Sequence, residues 1–195
     1  MSGLALVFTG LAVINGAAQQ PAAQQPAAGQ AGQAGQQGTP QKNYKDRGEY
    51  DIYSQITQTQ DPKKRLDLLN QWQTKYPQSD FAQDRLQYFV ATLGQIAAND
   101  PSVRQQLIDK CNDLLKVDPK NFTAFYYIAL WGPAVGGTNP SPEMLSTTDT
   151  GARGVVEGAD AAFPSSKKPS NMSEADWTKA KNQVLGIAHN ALAWV

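Results

Sequence analysis

Asp61-Pro62 and Asp100-Pro101 each open a long amphipathic run, and each run closes on a second proline, Pro77 or Pro119. The openings lie 39 residues apart and the closings 42. An acidic N-cap followed by proline in the first turn, where its missing N–H costs nothing, is a helix start signal. Recurrence at that interval predicts an all-α chain of antiparallel helix pairs, stacked so that each covers its neighbour's apolar face. Such arrays present extended surfaces to other molecules and seldom carry out chemistry.

The units can be followed residue by residue. Tyr50, Ile52, Tyr53 and Ile56 give a short helix over 49–59 an apolar face. Leu66, Leu69, Trp72 and Tyr76 follow at helical spacing, so 48–77 reads as the first pair. Ser79 is the expected cap of the next helix, which bears Phe81, Leu86, Phe89, Val90, Leu93 and Ile96. Its partner carries Val103, Leu107, Cys111 and Leu114 on one stripe, widened by Ile108 and Leu115. Leu69, Trp72, Leu107, Cys111 and Leu114 are therefore expected between helices.

A third pair starts at Asn121 with Phe122, Phe125, Tyr126 and Ala129. The Gly- and Pro-rich stretch after Trp131 reads as an inserted loop over 132–148. Residues 149–163 are then expected as a partner helix weakened by Gly151, Gly154 and Gly158. Ser173 caps a last helix whose stripe of Trp177, Ala180, Val184, Ile187, Ala191 and Val195 runs to the final residue. An array needs a polar end. The uncapped stripe thus predicts a fragment, or a self-association face at Trp177, Ile187 and Val195.

The region before residue 44 differs in kind. Leu4 to Ile14 is an apolar run of eleven residues, where a membrane span needs about 20. Gly16-Ala17-Ala18 supplies the small residues of a signal-peptidase site, which predicts a secretory signal over 1–18 and an exported protein. No Lys or Arg precedes the run. A start upstream of Met1, a buried N-terminal helix and a segment anchoring subunits to one another therefore remain alternatives. Residues 19–43 are mostly Gln, Ala, Gly and Pro, with no apolar side chain able to offset ordering entropy, and read as a disordered tether. The folded domain is expected over 44–195.

The junctions Trp72-Gln73-Thr74-Lys75-Tyr76-Pro77 and Leu114-Leu115-Lys116-Val117-Asp118-Pro119, the latter running into Lys120-Asn121-Phe122-Thr123-Ala124, resemble those of tetratricopeptide repeat proteins. Ala188-His189-Asn190-Ala191-Leu192-Ala193-Trp194 looks like the first helix of a further unit. The resemblance covers about residues 46–195. The units exceed the family's usual 34 residues or so, and the first two lack its Trp-x-x-Leu-Gly-x-x-Tyr helix, so the chain is tetratricopeptide-like. The resemblance implies a right-handed superhelix whose concave groove, lined by the first helix of each pair, grips a peptide or partner domain.

The chain offers little that points to catalysis or to a cofactor. His189 is the one histidine and has no neighbouring ligand for zinc. The nucleotide, hydrolase and metalloprotease signatures are missing. Asp109, Asp113 and Asp118 read as solvated helix faces. Lys plus Arg equals Asp plus Glu at 17 each, which gives no electrostatic footprint for nucleic acid. Cys111 cannot form an internal disulfide and reads as a small buried hydrophobe. Asn121-Phe122-Thr123 and Asn171-Met172-Ser173 match the glycosylation sequon at positions where capping is the simpler explanation.

Aromatics are the surplus. Tyr44, Tyr50, Tyr53, Tyr88, Tyr126 and Tyr127 fall mainly on first helices. The candidate partner-binding groove is Arg47, Tyr50, Tyr53, Arg85, Tyr88, Tyr126 and Lys181, tyrosine supplying contact area with a polar tip. Two functions follow as expectations. One is a non-enzymatic protein-binding scaffold of a bacterial cell envelope or secreted space. The other is a structural subunit assembling into a homo-oligomer or extracellular filament.

Overall fold

The computed structural model describes residues 42–195. The expectations for residues 1–18, and for the tether up to residue 41, lie outside the described residues. Within them every regular element is helical: α1 (Arg47–Gln58), α2 (Pro62–Lys75), α3 (Ala82–Ala97), a 3-10 turn (Pro101–Val103), α4 (Arg104–Val117), α5 (Phe122–Gly136), α6 (Pro142–Ala162), a second 3-10 turn (Ser165–Lys167) and α7 (Glu174–Trp194). The all-α class is as expected. No helix among the described residues is long and apolar enough to cross a membrane.

The helix starts follow local chemistry. Asp46 accepts from Glu49 N at 2.9 Å and caps α1. Asp61 accepts from Lys63 N at 2.8 Å and caps α2, with Pro62 in its first turn. Asp100 accepts from Ser102 N at 3.1 Å ahead of Pro101. Asn121, Ser141 and Ser173 cap α5, α6 and α7 in the same manner. Ser79 differs from expectation: its hydroxyl accepts from Phe81 N at 3.0 Å, so it shapes the turn before α3 and leaves that helix without a side-chain cap. Of the two sequons, Asn121 is a buried cap, whereas Asn171 is exposed and Ser173 does the capping.

Most helix-to-helix packing joins neighbours in the chain, and α7 also packs on α5. Individual contacts reach across one helix. The Tyr53 and Tyr88 rings meet at 6.1 Å between α1 and α3. Gly94 of α3 lies against the Tyr127 hydroxyl of α5. Lys110 Nζ of α4 donates to Gln73 Oε1 of α2 at 2.9 Å. Leu69, Trp72, Leu107, Cys111 and Leu114 are all buried, as their stripes required.

The inserted loop expected over 132–148 is a correction. Helix α5 runs through Gly132 and Pro133 to Gly136, and the break is the short turn 137–141. A proline inside a helix costs about 3 kcal/mol. Here it falls in the last turn of a strongly apolar helix, where packing on α4, α6 and α7 outweighs that cost. Gly137, at φ 63°, ends the helix in the left-handed region that glycine tolerates. Helix α6 then starts at Pro142, not at 149, from the cap Ser141.

The glycines of α6 are likewise corrected. They are packing residues more than weak points. A Cβ at Gly151 would strike Ile128, one at Gly154 the Phe125 ring, and one at Gly158 would come within 3.0 Å of the Phe122 ring. Gly132 faces Thr148 and Gly136 faces Met144 from the other side. Positions rise along α5 as they fall along α6, so the two helices run antiparallel and nearly backbone to ring.

The final stripe is also not open. Trp177, Ala180, Val184, Ala188 and Ala191 are buried, because α7 packs on two helices, α5 and α6. The Trp177 ring packs 4.8 Å from that of Phe163, and its Nε1 donates to Phe163 O at 3.2 Å. Trp194 Nε1 donates to Gly137 O at 3.1 Å and clips the end of α7 to the end of α5. Of the expected self-association face, Trp177 is enclosed, Ile187 is half-buried and Val195 stands 45% exposed.

Gly154→Ala should lower unfolding free energy by about 1–3 kcal/mol, because the Phe125 ring occupies the added methyl's place. Gly186→Ala, in the middle of α7 with nothing near the new Cβ, should raise it by about 0.5–1 kcal/mol. Urea denaturation of both variants checks the pair; a destabilised Gly186→Ala beside a neutral Gly154→Ala would contradict this packing.

Candidate functional site

Tyr44 lies just before α1, Tyr50 and Tyr53 stand one turn apart on α1, and Phe81 and Tyr88 lie seven residues apart at and beyond the start of α3. Their rings connect. Tyr44 stacks on Phe81 at 4.4 Å, meets Tyr50 edge-on at 5.4 Å and Tyr53 at 5.7 Å. Tyr53 in turn meets Tyr88. All four tyrosines are half-buried, so they pack on one another and still meet solvent.

Beneath this layer lies a buried polar support. Trp72, fully buried, meets Tyr53 at 6.0 Å and donates Nε1 to Glu49 Oε1 at 2.8 Å. Glu49, also fully buried, accepts from Lys45 N at 2.6 Å. The Arg85 guanidinium lies 5.5 Å over the Trp72 ring and donates to Tyr76 O at 2.8 Å, satisfying a carbonyl at the end of α2. The Tyr76 hydroxyl donates to Asp46 Oδ1 at 2.6 Å, tying the end of α2 to the start of α1.

The expected groove residues therefore separate. Arg47, Tyr50, Tyr53 and Tyr88 come together around Tyr44. Arg47 is exposed, pairs with Asp51 at 2.8 Å and lies 5.5 Å over the Tyr50 ring. Arg85 points inward and is removed from the set, because its burial is spent on Trp72 and the α2 terminus. Tyr126 is buried beside Tyr127 and offers no ring to a ligand. Lys181, on α7, pairs with Asp160 of α6 in a separate place. Phe81 was legible only as core; its seven-residue offset from Tyr88 was the available signal for a shared face.

Burial, then the neighbouring tyrosines and the carboxylates of Glu49 and Asp84, push the Tyr44 phenol well above its ordinary range. Burial and a hydrogen bond with Tyr53 do the same to Tyr88. Both keep neutral hydroxyls at physiological pH. Among the described residues no group of three or more His, Cys, Asp or Glu is placed to hold a metal ion. His189 is exposed on α7, and burial pushes the Cys111 thiol up. The arrangement is suited to contact: broad rings with polar tips on a rigid base.

Neither a protein-family model, nor a curated protein, nor a solved structure matches this chain.

Trp72→Phe strands the buried Glu49 oxygen and removes one of the two fused rings of a fully buried indole, and should cost about 2–5 kcal/mol in urea denaturation. A variant as stable as the parent would mean that this hydrogen bond carries nothing. Cys111 should resist a thiol reagent such as dithionitrobenzoate in the native chain and react fully once unfolded. Rapid native labelling would show that its helix interface opens.

Proposed function

We propose that the chain is a non-enzymatic interaction module that binds an extended peptide or a partner domain across the tyrosine surface of α1 and α3. The observation that carries this is the run of half-buried rings Tyr50, Tyr44, Tyr53 and Tyr88 on a buried support. Tyrosine and arginine are among the side chains that concentrate binding energy at protein interfaces, and tyrosine buries a large area at little entropic cost. A rigid base matters as much, because surface already held in place loses less freedom on binding.

We further propose that the helix pairs stack as a tetratricopeptide-like solenoid with a right-handed turn, α1, α3, α5 and α7 forming its inner row. The contacts from Tyr53 to Tyr88, from Gly94 to Tyr127 and from Trp194 to Gly137 support that reading, as each joins one odd helix to the next. The even row is supported by Lys110 on Gln73. Export to an envelope or secreted space is part of the proposal and rests on residues 1–18 of the sequence alone.

The test is to select linear peptides by display on the immobilised 195-residue chain and map them by NMR. Shifts should gather at Tyr50, Tyr53 and Tyr88, and Tyr53→Ala with Tyr88→Ala should weaken binding by about tenfold or more. Selected peptides that ignore both substitutions would place the binding surface elsewhere.

A further inference from the structure

We propose that the tyrosine surface takes a cationic side chain, arginine or lysine, of its partner; this rests on the peptide-binding reading above and specifies its anchor. The face of a tyrosine ring carries the negative part of its quadrupole and attracts a cation within about 6 Å. Here four such rings stand together. The chain seats one of its own cations on them, Arg47 lying 5.5 Å over Tyr50.

The charges around the rings favour the same occupant. Glu49, beneath the rings, and Asp84, on α3, lie close enough for their carboxylates to act on Tyr44, and Asp84 acts on Tyr88 as well. Three of the basic groups nearby are engaged within the chain. Arg47 pairs with Asp51 at 2.8 Å, Lys45 with Asp80 at 2.7 Å, and Arg85 is turned down onto Trp72. An acidic side chain arriving here would meet ring faces and carboxylates, with Arg47 and Lys45 already paired and Arg85 turned inward. A purely apolar one would desolvate the phenolic hydroxyls and bring them no new partner. A guanidinium suits the surface best, since it stacks flat on rings and donates to hydroxyl oxygens in its own plane.

The experiment uses the full 195-residue chain with isotope-labelled tyrosine rings. The probes are a short acetylated, amidated glycine–serine peptide with one central arginine, and its counterpart with neutral, isosteric citrulline. The arginine peptide should give saturable shifts at Tyr50, Tyr53 and Tyr88, and the citrulline peptide should bind about tenfold more weakly. Asp84→Asn, half-buried on α3, should weaken arginine binding severalfold more than it weakens citrulline binding. Tyr53→Leu should abolish the preference, with a thermal melt showing the fold retained. Equal binding of both peptides at these rings would overturn the cationic anchor while leaving the peptide surface standing. Silence of these rings toward both probes and toward display-selected peptides would overturn the surface itself.

Discussion

Three glycines of α6 lie against Phe122, Phe125 and Ile128 of α5, and the second half of the molecule is built on that contact. Large side chains on one helix meet bare backbone on the other, so the axes come close together and dispersion contacts accumulate along the whole length. Close approach then lets α7 reach α6 and α5 at once, which is how its apolar stripe is covered. The same packing holds α5 helical through Pro133. One fit of small against large thus decides the course of the chain from Phe122 to Trp194.

The first half is joined by different means. Glu49, Trp72 and Arg85 come from three successive helices and satisfy one another's neighbours in a buried cluster, with Asp46 and Tyr76 closing its edge. Buried polar groups are costly unless bonded, so such a cluster tolerates few alternative arrangements. That specificity is what the tyrosines above it inherit: Tyr53 rests on Trp72, and Tyr44 is held between Phe81 and α1.

Local signals in the chain were sufficient for the all-α class, for the starts of most helices and for the buried stripes. Caps, first-turn prolines and helical periodicity act over a few residues, so they are legible without knowing what lies opposite. The third start signal, Ser141-Pro142, is as local as the others and falls 41 residues after Asp100-Pro101, much as that one follows Asp61-Pro62 by 39. It was obscured by the glycines and prolines around it, which suggest a loop when read by composition. The helix starts are spaced more evenly than composition suggests.

Other features needed the partner across the interface. Whether a glycine weakens a helix or admits a ring depends on a residue more than twenty positions away, as Gly154 and Phe125 illustrate. Arg85 carries the same charge as Arg47, and only the position of Trp72 and the end of α2 sends one inward and leaves the other in water. The sequence by itself determined where helices begin and which faces are apolar, because those rest on hydrogen bonds and spacings within one turn or two. The tertiary structure alone decided which aromatic residues reach solvent together and which cations are spent on the core, because those outcomes rest on fit between segments that the chain brings together only by folding.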